Sequence, residues 1–449
     1  ATLNSETDET ALVNNDSANG AKINSISANL SLNNLPNNTW GYKFGVSTNY
    51  APIPALSTPA QIIQTAGKTN GNESNQLSIG MKLADNLESG NYTNKLILSF
   101  VSNPYTMRAV MTNGPDFNAR VGNLDPNPAY YSGPDSMLTK PSIKAFKRST
   151  VAPVGSVSTI NIEDPDMSDY EIKAWYNAVD QTVYYYAEPN TVFLNENSRG
   201  MFMWFTKMET IDLVSFDTSD VTSMNTMFYM MNSLKNIDVS KFNTSRVNDM
   251  NSMFDQTGVI EELNLSGFDT SNVTDMKWMF FGLNKLKKLN LTNFDTNKVT
   301  NMYGMFDAMT DVSEIKFGTN FNTRNVTNMG RMFSRTSSIQ QLDLSHFNTG
   351  NVTAMNDMFS LMTSLTQINF GSNFDTSNVT DMTGMFYQST SLVNLDLSHF
   401  NTRKVKSMNS MFSQMSGLTI LDISNFETPS LEDAGSMFAI DPGFSDNLE

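Results

Sequence analysis

Residues 268–280 read FDTSNVTDMKWMF and residues 374–386 read FDTSNVTDMTGMF, identical at 11 of 13 positions. The Phe that opens this line returns at Phe216, Phe242, Phe268, Phe294, Phe321, Phe347, Phe374, Phe400 and Phe426, spaced by 26 residues and twice by 27. Both longer units gain one residue at the same place, giving FGTNF at 317–321 and FGSNF at 370–374. A fixed period of this size marks stacked supersecondary units, none of which can bury its apolar face alone.

The unit opening at Phe268 shows the logic. F-D-T-S-N is rich in side chains that bond their own backbone. Val273, Met276, Met279 and Phe280 follow at i, i+3, i+6 and i+7, which predicts a short helix with one apolar face, capped by Thr270, Ser271 or Asn272. After the loop GLNK, Leu286, Leu289 and Leu291 give the L-x-x-L-x-L spacing of a strand with alternate residues inside. The repeated Phe, Val, Met and Leu positions are therefore expected to form interior ladders, each residue stacked on its copy one coil away. Thr stands two residues after the ladder Phe in every unit, from Thr218 to Thr428, preceded by Asp, Asn or Glu427. These pairs are expected to close turns and align coils. The rival reading, a cation between stacked carboxylates such as Asp269 and Asp295, is weakened by the Asn at half of these places.

At 449 residues the chain is expected to form two or three domains. Its net charge of −16 argues against nucleic acid and suits a protein that stays soluble outside a cell. No apolar run approaches the roughly 18 residues that span a bilayer, so no transmembrane segment is expected. The absence of cysteine excludes disulfides, thiolate metal sites and cysteine catalysis. Residues 1–20, polar and free of aromatics, read as disordered, with Ala1 a mature or trimmed N-terminus. Residues 21–102 read as a β-sandwich of Ig-like type, with candidate strands ANLSLNNL, TWGYKFGV, NQLSIGMKL and NYTNKLILSFV. The Pro-, Gly- and Asn-rich stretch 103–150 reads as a linker or extension of the sandwich. Residues 151–200 read as the N-terminal cap of an α/β solenoid of about nine coils at 201–449, which breaks or is capped near Pro442.

Chemistry is hard to find. His346 and His399 both precede a ladder Phe, a place held elsewhere by Lys241, Gly267 or Asn293, so they read as solvent-facing spacers. With no nucleophile–base arrangement, the chain reads as a non-enzyme without cofactor or metal. The acidic run IEDPDMSDYE at 162–171 lacks EF-hand spacing and reads as a solvated turn. The repeat methionines, such as Met224, Met250, Met276, Met302, Met329, Met355, Met382 and Met408, lie along a line; copper(I) needs them to converge, so they read as core filler.

What remains is the surface. The x positions of L-x-x-L-x-L face outward and vary in charge and size while the core positions repeat. Lys235, Asp238, Lys287, Lys288, Asn290, Lys316, Gln341, Asp343, Asn369 and Asp396 are the candidate binding residues on this strand face. Solenoids commonly recognise partners through such an extended face.

The unit F-[DN]-T-S-x-V-T-x-M-x-x-M-F-x(5)-L-x-x-L-x-L-S resembles the BspA-type leucine-rich repeat of bacterial surface proteins, from about Met201 to Phe438. The segment AWYN…VYYYAEPNTVFLNENSRGMF is similar to the leader that often precedes such repeats. The resemblance implies a right-handed solenoid on a secreted or wall-attached protein. It also implies adhesion to host matrix proteins such as fibronectin and fibrinogen, to epithelial cells or to other bacteria. It carries over no catalytic residue. The expected function is a bacterial cell-surface adhesin. Its expected partner is a host matrix or cell-surface protein or a glycan, held by the solenoid face, the N-terminal sandwich or both. The alternative is a structural stalk or surface-assembly subunit that presents another domain.

Overall fold

The computed structural model describes residues 1–17, 20–64, 74–100, 106–130, 138–155 and 157–439. The chain divides into two compact units, Ala1–Thr106 and Met107–Glu449.

The first unit has two sheets. One has three strands, in the order Ala60–Gln61, Thr2–Ser5, Leu96–Ser99. The other has five, in the order Leu77–Lys82, Thr39–Phe44, Lys22–Ser25, Leu12–Asn14, Tyr92–Thr93. Leu3 of the first sheet packs with Ile23, Trp40 and Tyr42 of the second in one apolar cluster. Two expectations fail here. Residues 1–20 carry two of these strands, because Leu3 is fully buried, Leu12 packs on the same cluster and the Ala1 ammonium donates to the carbonyl of Ile63 (2.7 Å); average polarity hid these few apolar anchors. ANLSLNNL forms not a strand but a 3-10 turn at Leu32–Asn34, with Leu35 buried beyond it and Leu32 exposed.

The second unit begins well before residue 151. The described residues of the stretch 103–150 are not a linker: they supply the helix Gly114–Gly122 and the strand Ala145–Arg148. Asn113 caps the helix by accepting from the N–H of Asp116 (3.0 Å), and Pro115 occupies its first turn. Gly114 lets the helix start against the coil, since a β-carbon there would lie 2.2 Å from the carbonyl oxygen of Arg199. Phe117, Val121 and Phe146 are fully buried. Ala145–Arg148 sits inside a five-stranded sheet, in the order Ile160–Asn161, Ile172–Asn177, Thr182–Ala187, Ala145–Arg148, Thr210–Ile211. Phe146 stacks on Tyr185 (5.0 Å) and meets Phe202 edge-on (5.5 Å); Phe202 stacks on Phe228 (5.9 Å). The cap core therefore runs without a break into the repeats.

The repeats form a parallel stack of coils. Single bridges join Asn197, Ser223, Asp249, Asp275, Asn301, Asn328, Ala354, Asp381, Ser407 and Asp433, each to the next. Inside run columns of identical side chains. Phe202, Phe228, Phe254, Phe280, Phe306, Phe333, Phe359, Phe386, Phe412 and Phe438 stack ring on ring at 5.4–6.1 Å. The opening-line phenylalanines from Phe216 to Phe400 are buried, and so are the core methionines beside them.

The helix expected in each coil is absent. Among the described residues the one α-helix is Gly114–Gly122. Residues 249–257 show what replaces it. The N–H groups of Met250, Ser252, Phe254 and Gln256 donate to the next coil at Asp275, Lys277, Met279 and Phe281 (2.7–3.2 Å). Those of Met253, Asp255 and Thr257 close four-residue turns on Met250, Ser252 and Phe254. The carbonyls of Asp249, Asn251, Met253 and Asp255 accept from the preceding coil. Every second peptide thus bonds between coils, a pattern that satisfies the buried backbone without a helix. Left-handed residues recur four apart, as at Ser252 (φ 53°) and Gln256 (φ 56°), and they interrupt any α-helical ladder.

The strands of the L-x-x-L-x-L segments are also not continuous. They pair two by two: Lys288–Leu291 with Glu314–Phe317, Gln341–Asp343 with Gln367–Asn369, and Asn394–Asp396 with Ile420–Asp422. Each break follows a 27-residue coil. There the added residue presses the backbone onto the coil before: a β-carbon on Gly318 would lie 2.0 Å from the carbonyl oxygen of Thr292, and one on Gly371 (φ 69°) 2.5 Å from Ser345 Cα. The break expected at Pro442 lies outside the described residues.

Candidate binding faces of the coil stack

The Asp-Thr pairs divide their work. Asp217, Asn243, Asp269, Asp295, Asn322, Asn348, Asp375 and Asn401 each accept, through the side chain, the N–H two residues on. The buried Thr218, Thr244, Thr270, Thr296, Thr323, Thr376 and Thr402 reach the next coil, donating to the carbonyl and accepting from the N–H of one residue there. One carboxylate oxygen of Asp269 and one of Asp295, residues on which a stacked cation site would rest, accept within these turns.

Eight of the ten candidate residues of the strand face fall into two groups of four. Lys235, Lys287, Lys288 and Lys316 are exposed, and each meets a carboxylate: Glu209, Asp311 (2.7 Å), Glu314 (3.1 Å) and Glu314 (3.6 Å). Their ammonium groups hold Asp311 and Glu314 below the usual carboxylate range. Asp238, Asn290, Asp343 and Asp396, read from sequence as free to vary, each close a turn by accepting from Ser240, Thr292, Ser345 and Ser398 (2.9–3.1 Å). They belong to the fold, because the end of the segment needs an acceptor two residues before the next turn. Asn369 donates to Asp343 (2.9 Å), and Gln341 stands opposite Gln367 in the exposed strand pair.

His346 and His399 are more than spacers. Both follow a 27-residue coil and lie against its extra aromatic ring, His346 at 5.3 Å from Phe317 and His399 at 5.4 Å from Phe370. Desolvation there lowers both imidazoles below their ordinary range, against the pull of Asp343 and Asp396. In the acidic run, Asp164 accepts from the N–H groups of Asp166 and Met167, and Glu163 from that of Ile172, so these carboxylates shape a turn.

The opposite, turn-built face holds a cluster that the sequence reading passed over. The Lys277 ammonium lies 4.7 Å from the Trp278 ring and 5.7 Å from that of Tyr303. Trp278 meets Tyr303 (5.7 Å) and Phe281 (5.9 Å), and the Arg335 guanidinium lies 5.5 Å over Phe281. Arg331 and Arg335 both bind the buried Asp307, at 3.0 and 2.9 Å. A cavity of about 350 Å³ opens beside Phe281, edged by Asn232, Gln256, Val259 and Asn284. The neighbouring Asp255 is buried, its Oδ1 has no hydrogen-bond partner, and desolvation pushes its carboxyl up to about 7. Part of the signal was in the repeat alignment: Trp278 and Tyr303 stand where most other coils carry Ser, Thr, Gly or Asn, whereas the place of Phe281 is aromatic at Tyr229 and Tyr387 too.

Comparison with known proteins places the repeats. The model of a family described as "Mycoplasma protein of unknown function, DUF285" matches residues 196–315, 279–371 and 367–449, together more than half of the chain. No curated protein matches. Among solved structures, the functional domain of InlJ from Listeria monocytogenes, which includes a cysteine ladder, is similar at 13% identity and a TM-score of 0.16, over 59% of this chain. The chain spans 58% of that structure's length. No described helix is long and apolar enough to cross a membrane.

Proposed function

We propose, because the chain belongs to the family described as "Mycoplasma protein of unknown function, DUF285", that it is a bacterial cell-surface adhesin built on a stack of repeated coils. In its finer form the reading is of a BspA-like leucine-rich-repeat solenoid of about nine coils behind an Ig-like sandwich, secreted or held at the wall. The protein binds and does not catalyse. Its partner is a host matrix or cell-surface protein or a glycan.

One observation carries this reading. Within each coil the Phe and Met columns, the Thr bonds and the turn-closing Asp or Asn are repeated, while the exposed place held by Lys235 and Lys287 is Glu261, Ser313, Gln340 and Thr366 in other coils. Side chains that the fold does not use are those free to serve recognition. The unbroken bonding between coils also favours a second reading, a stiff stalk that carries another domain outward.

The two readings separate experimentally. The full chain is immobilised and probed with fibronectin, fibrinogen and epithelial-cell glycans, beside a variant carrying Lys287→Glu, Lys288→Glu and Lys316→Glu. These pairs are exposed, and losing them costs little stability. At least one probe should bind, and the triple variant should lose tenfold or more. Unchanged binding of every probe removes the strand face from the reading; no binding of any probe favours the stalk.

A further inference from the structure

The turn-face cluster is not explained by the fold. Phe281's place is aromatic in two other coils, at Tyr229 and Tyr387, and Arg335's is Met230 or Leu361 in two; elsewhere the place of Trp278 is held by Thr226, Ser252, Gly304 and Ser410, that of Phe281 by Ser334, Ser360 and Ser413, and that of Arg335 by Gln256, Gln388 and Gln414. Those coils stack as well with small polar residues. Trp278, Arg331 and Arg335 also sit at φ of 53°, 57° and 59°, a region where glycine is the least strained residue and where Gly304 and Gly384 stand in equivalent places. Bulk has therefore accumulated in neighbouring coils at backbone positions that disfavour it.

The composition of the cluster points to a partner. Trp, Tyr and Arg dominate the residues that carry protein–protein binding energy. Trp278, Phe281 and Tyr303 supply ring surface, and Val259 adds an aliphatic edge. Arg331 and Arg335 share the one buried carboxylate of Asp307 and Lys277 lies against the rings, so three cationic side chains stand beside the aromatic surface, facing Asp307, Asp357 and the carboxyl of Asp255 that burial raises to about 7, on a chain whose net charge is −16. The side-chain amides of Gln256 and Asn284 at the cavity rim are of the kind that pair with a main chain.

We propose that this cluster is a docking site for an acidic polypeptide segment that carries an aromatic or aliphatic side chain beside its carboxylates. The rings take the apolar side chain, and the cations take the carboxylates and speed encounter. The site lies apart from the strand face and does not rest on that face being adhesive.

The full chain is tested by biolayer interferometry against a poly(Glu-Tyr) copolymer, poly-Glu and hyaluronate. The variants are Trp278→Ser, Phe281→Ser and Arg335→Gln, each of which installs a residue that other coils already carry in the same place. The copolymer should bind more tightly than poly-Glu. Each variant should weaken it about fivefold, and Trp278→Ser with Arg335→Gln more than tenfold. Lys95→Glu, an exposed cation of the first unit, should leave it unchanged. Equal binding of poly-Glu, tighter binding of hyaluronate than of the copolymer, indifference to the variants, or no binding at all would each overturn the proposal.

Discussion

The hydroxyl of Thr270 both donates to the carbonyl of Asp295 and accepts from its N–H, each at 2.9 Å, on a side chain 1% exposed. Thr270→Val keeps the volume and removes both bonds, leaving two backbone groups of the next coil without partners. A loss of about 1–3 kcal/mol in urea unfolding is expected, most of it restored by Thr270→Ser. Asp255 is the opposite case. Its carboxyl is raised to about 7 by burial, so between about pH 4 and pH 7 the folded chain holds a proton that the unfolded chain releases. Stability is fully present below that window and falls as pH rises through it. Asp255→Asn should match the parent near pH 4 and exceed it at pH 8, by up to about 4 kcal/mol, as urea unfolding at the two values will read. Phe, Met and Thr were legible in the sequence because burial forces the same residue into every coil. Asp255 was not, since one buried carboxyl in nine variable places leaves no pattern.

In the coil as an element, the apolar spacing of Val273, Met276, Met279 and Phe280 reads as a helix, yet the chain builds turns. Both conformations bring every third or fourth residue inward, so the period alone does not separate them. The distinguishing feature is the left-handed residue every fourth place, and it is disguised because Trp278, Arg331, Asp357 and Gln388 adopt it as well as Gly304 and Gly384. The longer coils were legible in length but not in consequence. Their added residue interrupts strand pairing and seats the backbone of Gly371 against Ser345. Gly371→Ala meets both a positive φ and a β-carbon contact of 2.5 Å, and a loss of about 1–3 kcal/mol is expected in the same unfolding assay.

Across the whole molecule, the repeats announced themselves over more than half of the chain, whereas the start of the second unit did not. Composition marked 103–150 as irregular, but Phe117, Val121 and Phe146 are enough to tie that stretch into the cap core. Likewise the strand face was visible as variation at x positions, although four of its ten candidates turn out to close turns. The repeat alignment marked Trp278 and Tyr303 as unusual, but the turn face came together only when the chain was folded, because Trp278 meets Tyr303 and Phe281 meets Arg335 from different coils.

Residue-resolved hydrogen exchange of the native chain tests the stacking most directly. If alternate peptides bond between coils over buried columns, the amides of Met250, Ser252, Phe254 and Gln256 should exchange as slowly as the turn amides of Met253, Asp255 and Thr257. The equivalent amides of the central coils should show the same protection. Fast exchange of Met250, Ser252, Phe254 and Gln256 beside protected turn amides would mean that the coils do not bond to one another, and would contradict the stack.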